Sequence, residues 1–193
     1  MKNGFLVYAA AGLAFLGTAL QAQTSTWTID PAHSSVQFQV RHMGVSNVHG
    51  SLNGVKGTVL LDEKDITRST VNATMETATV STNNDARDRD LKSPNFFDVT
   101  KYPQLTFKST SINRNSGKLQ MKGDLTLNGV TKPITLDVDG PSAPQKGMTG
   151  NTISGFSASG TLNRTDFNFG SKYGSAIISD EVKFTIDVEI DKQ

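Results

Sequence analysis

From Val182 to Ile190 every second residue is apolar: Val182, Phe184, Ile186, Val188 and Ile190 alternate with Lys183, Thr185, Asp187 and Glu189. A period of two puts one set on one face of an extended strand and the other set on the opposite face. The same rhythm recurs along the chain. Val36, Phe38 and Val40 alternate with Gln37, Gln39 and Arg41, and Val71, Ala73 and Met75 with Asn72, Thr74 and Glu76 in a strand that runs on towards Val80. Leu105 and Phe107, then Leu119, Met121, Leu125 and Leu127, and then Ile134, Leu136 and Val138 continue it. Phe156, Ala158 and Leu162 precede the last strand. Gly50, Gly54 and Gly57 punctuate Leu52 to Asp62 as if a strand were bent or bulged there. Asn128-Gly129 marks a tight hairpin, and Gly140 to Gly150 a loop.

About eight strands with one apolar face each satisfy two architectures, a two-sheet sandwich or a closed antiparallel barrel. Long strands joined mostly by short turns in up-and-down order favour an all-β, eight-stranded antiparallel barrel. Such a barrel either fills its interior or leaves room for one small ligand. Ala73, Ala78, Ala158 and Gly123, at or beside inward positions, favour room.

One stretch breaks the alternation. Between Asn83 and Pro103, Asn84 or Asp85 is placed to cap a short helix, with Asp85 four residues before Arg89 and Asp88 four before Lys92, and Pro94 ends it. Two turns carrying a single apolar residue, Leu91, do not hold in water alone, so the helix must be pinned to the barrel. Leu91, Phe96 and Phe97 are the expected pins, with the Phe pair closing a barrel end.

The chain begins with Met1-Lys2-Asn3, an uncharged run from Gly4 to Leu20, and then Gln21-Ala22-Gln23. This is the layout of a signal peptide over residues 1–22, cleaved after Ala22, followed by a single domain over 23–193. Export to a bacterial periplasm or to the medium is the expectation, with no membrane anchor left after cleavage. Charges nearly cancel, 19 basic against 18 acidic, so no basic footprint for nucleic acid exists. The absence of cysteine excludes disulfides, thiolate metal sites and a Cys nucleophile. Hydrolase elbows, His-Glu-x-x-His pairs and phosphate-binding glycine loops are also missing. His33, His42 and His49 are scattered, with His42 and His49 flanking a loop, so neither a metal nor a catalytic residue is expected.

In order and spacing, several segments resemble the YceI-like family of polyisoprenoid-binding, lipocalin-like periplasmic proteins. They are Trp27-Thr28-Ile29-Asp30-Pro31-Ala32-His33-Ser34, Val36 to His42, Arg87 to Asp98 with Tyr102-Pro103, Gly123 to Pro133, Gly155-Phe156-Ser157-Ala158, Asn163 to Phe167, and Ser179-Asp180-Glu181-Val182. The resemblance implies a lipocalin-like barrel with one short helix, enclosing an elongated apolar tunnel for an isoprenoid or fatty chain. Val36, Phe38, Val40, Ala73, Met75, Phe96, Phe97, Leu105, Phe107, Leu119, Met121, Leu136, Phe156, Phe184 and Ile186 would line that tunnel. It further implies a non-enzymatic carrier with no cofactor beyond a bound isoprenoid or other lipid, and room for a homodimer. Many members carry His in place of Asp90 and an acid in place of Asn95, so polar contacts to a head group are not carried over. Two other readings compete: an enzyme acting on a lipid or small apolar substrate with His33 or His42 as base, and a structural envelope-stress protein with a filled barrel.

Overall fold

The computed structural model describes residues 24–193 and shows an antiparallel barrel of eight staves, built from eleven strands and one α-helix. Two staves are each broken into two strands. The first is β1 (Thr24–Ile29) followed by β2 (Ser35–His42), both paired to the same edge of the last strand, β11 (Ile178–Lys192). Ser34 stitches this break, its hydroxyl accepting from the Glu189 amide at 3.1 Å while Asp30 N–H donates to the Glu189 carbonyl at 2.9 Å.

The second stave is β3 (Ser46–Asn53) and β4 (Lys56–Asp62), bent at Gly54, whose φ of +71° lies where glycine is favoured. At Gly57 the strands come so close that a Cβ would lie 2.0 Å from the Asn72 carbonyl oxygen. Gly54 therefore serves the bend that the glycine spacing predicts, whereas Gly57 serves a close approach and Gly50 neither.

The remaining staves are β5 (Thr70–Glu76), β6 (Gln104–Asn115), β7 (Lys118–Leu127), β8 (Val130–Asp139) and β10 (Thr152–Asn163), with β9 (Gln145–Lys146) a two-residue addition in the loop after β8. Each pairs with its neighbour in sequence, and β10 pairs with β11 from Ile153–Asp191 to Asn163–Glu181, closing the ring. Closure leaves almost no free edge, which is what makes strands of this length safe from edge-to-edge association. Among the described residues no helix is long and apolar enough to cross a membrane.

Ring closure is incomplete at one end. β3 meets the β5 side only through a single bridge, Ser51 to Ser81, so beyond Ser51 the outer half of β3 has no strand on its far side. The segment from Ser81 to Tyr102, carrying helix α1 (Asp85–Lys92), covers that gap. Asn84 caps α1 by accepting from the Arg87 amide at 3.0 Å, and the helix stops at Ser93, before Pro94.

Local expectations differ in four places. The strand from Val71 ends at Glu76 and gives way to a 3-10 turn over Thr77–Thr79, because Thr77 is claimed by the Tyr102 and Pro103 carbonyls; Ala78 is therefore exposed and does not face the lumen. His49 lies inside β3 opposite Gln39, so the loop after His42 is only a hairpin turn. Asp88 turns to the Thr82 amide and hydroxyl rather than to Lys92. Gly123, finally, makes room only indirectly: a Cβ there would lie 2.3 Å from the Phe107 ring, which settles into the volume the missing side chain leaves.

A half-filled barrel with an apolar cavity under a lid

The lumen divides into two halves. At the closed end Trp27, Ile29 and Ile190 are essentially inaccessible, and Val59, Val71, Ile112, Leu119, Met121 and Val188 pack around them. Fully burying each such side chain contributes roughly 1.5–3 kcal/mol, so this end supplies much of the stability. The other half stays hollow, with a cavity of about 320 Å³.

Eleven of the residues singled out from the sequence line that cavity. Val36, Phe38 and Val40 come from β2, Met75 from β5, Leu105 and Phe107 from β6, and Leu136 from β8. Phe184 and Ile186 come from β11, and Phe96 and Phe97 from the covering segment. Four others do not reach it. Leu119 and Met121 are core of the closed end, and Phe156 and Ala73 pack against that core from partly buried positions. Strand alternation separates inside from outside but carries no information about height along the barrel, and height separates Leu119, Met121 and Phe156 from the rest; Ala73, paired directly opposite Phe107, has only a methyl group to offer.

Three of the phenylalanines are kept against the wall by glycines. A Cβ on Gly50 would lie 2.3 Å from Phe38 Cζ, one on Gly123 2.3 Å from Phe107 Cζ, and one on Gly160 2.9 Å from Phe184 Cζ. Gly50 and Gly160 stand directly opposite Phe38 and Phe184 in the strand register. Each ring thus lies over a residue with no side chain, and the space it would otherwise take in the lumen remains open.

The lid is aromatic and double. Phe96 meets Phe169 edge-on at 5.3 Å between centroids and stacks on Tyr173 at 5.5 Å, while Phe97 meets Phe169 edge-on at 4.7 Å. Both Phe96 and Phe97 are buried, as a pinned helix requires. Their partners belong to the long connection from β10 to β11, which the sequence reading left without a role.

Arg164 holds that connection. It is 2% exposed, and its guanidinium donates to the carbonyls of Ser179, Phe169, Gly170, Tyr173 and Ile178 at 2.6–3.1 Å and to Asp180 Oδ1 at 2.9 Å. A loop without strand partners must satisfy its carbonyls somehow, and a planar fork of five N–H groups does so from one point. With its donors committed to the loop, Arg164 borders the cavity as scaffold rather than as an anion receptor. Among polar groups at the mouth, Arg87 bonds the Thr82 hydroxyl at 2.7 Å, and the Tyr173 hydroxyl reaches Asp90 at 3.4 Å; His42 is exposed at the rim.

The three histidines stay apart, but His33 joins two acids. Ligand-type atoms of Asp30, His33 and Glu189 lie within 4.8 Å of one another, on the outside of the barrel and away from the cavity. His33 Nδ1 is engaged by Asp30 at 2.6 Å, and its side chain is 65% exposed. This bond raises the His33 pKa above 6.5 and, with the Ala32 amide, lowers that of Asp30 below 3.8. The His33 contribution is fully present below pH 6.5 and is lost as pH rises through the higher folded value; the Asp30 contribution is present above 3.8 and is lost as pH falls through its lower folded value. Raising pH from about 6 to about 9 is therefore expected to lower the thermal midpoint slightly, the pair being solvent-screened, and His33→Ala should flatten that slope. An unchanged slope in the variant would remove this pair from the pH response.

A YceI-like domain model matches residues 27–190. The chain belongs to the YceI-like family. Curated relatives include Protein YceI of Shigella flexneri, 39% identical over 98% of this chain and 97% of the relative, and a UPF0312 protein of Pectobacterium carotovorum, 38% identical over 94% and 92%. Among solved structures, Campylobacter jejuni YceI is similar at 31% identity with a TM-score of 0.70, covering 79% of this chain and 90% of that one. Burkholderia cenocepacia BcnA (22% identity, TM-score 0.73, 83% and 98% covered) shares the fold. So does a polyisoprenoid-binding domain of Saccharophagus degradans (14% identity, TM-score 0.63, 86% and 98% covered). The YceI-like barrel is thus the frame on which the half-hollow lumen is built.

Proposed function

We propose that this YceI-like protein is a non-enzymatic periplasmic binding or carrier protein for a long apolar chain, such as a polyisoprenoid, quinone or fatty-acid-like lipid, held in the barrel interior. The observation that carries the reading is the cavity itself, about 320 Å³, walled by aliphatic and aromatic side chains and covered by a lid. That size lies at the lower end of the range typical of small-molecule sites. Burying ten methylenes is worth about 8 kcal/mol at about 0.8 each, before immobilisation costs that remove half or more. What remains, about 4 kcal/mol or less, corresponds to roughly millimolar binding, so tighter binding without polar contacts takes a longer chain; of the two arginines that border the cavity, Arg164 is committed to the loop and Arg87 donates to Thr82. The polyisoprenoid-binding description of the Saccharophagus domain supports the same ligand class.

Mass spectrometry of an organic extract of the purified protein tests this reading. A stoichiometric isoprenoid or fatty chain is expected, and Val40→Trp, which places bulk in the cavity, should lose it while remaining folded. An extract empty of lipid, together with no uptake of added chains, would leave the carrier reading without support.

Periplasmic location rests on the leader. Residues 1–22 lie outside the described residues, which start at Thr24. N-terminal sequencing of protein released from the periplasm should begin near Gln23; recovery of Met1 or Lys2 from washed membranes would mean an uncleaved anchor.

A further inference from the structure

The cavity is polar at one end only. Its wall is aliphatic and aromatic except for His42, Thr82, Arg87, Asp90, Arg164 and Tyr173. These six gather around the lid: His42 pairs with Ile178, whose carbonyl accepts from Arg164; Arg164 also binds the Tyr173 carbonyl; the Tyr173 hydroxyl reaches Asp90; and Arg87 bonds Thr82. Trp27, Ile29 and Ile190 seal the far end. A chain with a polar head therefore lies with its tail inward and its head at this end.

On α1, Arg87, Asp90 and Leu91 are spaced i, i+3, i+4 and share the face turned to the cavity. Covering an apolar lumen needs only apolar residues there, such as Leu91. A carboxylate beside it is costly unless it is paired and hydrogen-bonded. Asp90 is half-buried, and among the described residues it forms no ion pair. Its side-chain oxygens are met only at the limit of hydrogen bonding, Oδ2 by the Tyr173 hydroxyl at 3.4 Å and Oδ1 by the Ser93 hydroxyl at 3.5 Å. A hydroxyl donating to a carboxylate ordinarily lies at about 2.5–2.7 Å. Asp90 thus keeps acceptor capacity that the fold does not use.

The neighbouring groups leave that capacity open. Arg164 is committed to the loop and to Asp180, and Arg87 turns its Nε and Nη2 to the Thr82 hydroxyl and carbonyl at 2.7 and 3.0 Å. Tyr173 is fixed by its stack on Phe96, so its hydroxyl stays beside Asp90. An acceptor and a hydroxyl side by side match a head that both donates and accepts.

We infer that Asp90 and Tyr173 select an apolar chain ending in a neutral hydroxyl, which donates to Asp90 Oδ2 and accepts from the Tyr173 hydroxyl, and that the Asp90 carboxylate repels phosphorylated or carboxylated ends. This head-group choice rests on the carrier reading and narrows it.

The test loads the delipidated protein from an equimolar dispersion of farnesol and farnesyl phosphate, removes the excess by gel filtration and measures both compounds by mass spectrometry. Since the two differ in solubility, the quantity read is the change in their retained ratio between proteins. Wild type should retain mainly farnesol. Asp90→Asn keeps the size and removes the charge, and should lower the farnesol-to-phosphate ratio about fivefold or more, the effect of one unit charge at about 4 Å even in bulk water. Tyr173→Phe keeps the ring on Phe96 and should lower farnesol retention severalfold without raising that of the phosphate. Asp85→Asn removes the same charge from the same helix without bordering the cavity, and should behave as wild type.

A ratio unmoved by Asp90→Asn overturns the inference even if the thermal midpoint falls, since that pattern belongs to a purely structural Asp90. Farnesol retention indifferent to Tyr173→Phe, or an equal shift in Asp85→Asn, overturns it too. So does preferential uptake of the phosphate by wild type that is lost in Arg87→Gln, which would make the mouth an anion site. In each of these cases a chain is still bound and the carrier reading stands. Retention of neither compound by any of the proteins would instead bring down the carrier reading, and the head-group choice with it.

Discussion

Arg164→Met is expected to destabilise the protein by about 3–5 kcal/mol, the cost typical of breaking a buried charged network by removing one partner. Most of that cost comes from carbonyls. The oxygens of Phe169, Gly170, Tyr173, Ile178 and Ser179 would lose a charged donor at a buried position, while Asp180, 39% exposed at its side chain, can turn to water. For a domain of this size the loss corresponds to a fall of roughly 6–20 °C in thermal midpoint. Arg164→Lys should recover little, since an ammonium has three donors on a flexible stem and cannot reproduce a planar fork. Calorimetry of both variants decides the matter. A midpoint for Arg164→Met within a degree or two of wild type would show that the loop finds its partners elsewhere.

Phe97→Ala is expected to cost about 3–5 kcal/mol, as for a buried aromatic whose neighbours cannot collapse into the space left. Phe97 is buried, lines the cavity and packs edge-on against Phe169, so its removal enlarges an existing void instead of creating a closed one. Phe96, held between Phe169 and Tyr173 and filling the space over Gly170, should behave similarly. The two roles of the lid separate in kinetics. Both variants should lose stability and release a bound chain faster, because the same rings close the barrel and cover the lumen. Wild-type midpoints together with wild-type release rates would assign the rings to solvent-facing positions and contradict the packing described above; lowered midpoints with unchanged release would make them core alone.

The residues of the lid also explain why Arg164 escaped a reading of the sequence. An arginine followed by Thr165-Asp166 in a polar stretch looks like solvated surface, and only the path of residues 168–179 around its guanidinium turns it into the centre of a loop. A glycine offers the same lesson in reverse. Gly123 read as space in the lumen, yet the Phe107 ring occupies the volume its missing side chain leaves.

Features that depend on neighbours along the chain were legible from the residues alone. Period-two alternation set which face of each strand turns inward, Asn128-Gly129 set a hairpin, Asn84 and Pro94 bounded the helix, and the motif order carried the family. The tertiary structure decided what depends on contacts between distant segments. Leu119 and Met121 share the inward pattern of Phe107 and Leu125, but strand stagger sends the first pair to the packed end and the second pair to the hollow one. Alternation is blind to that difference because every inward residue repeats with the same period, whereas the position of Trp27, the lid and the β10–β11 connection along the barrel axis comes only from how the staves are registered and closed.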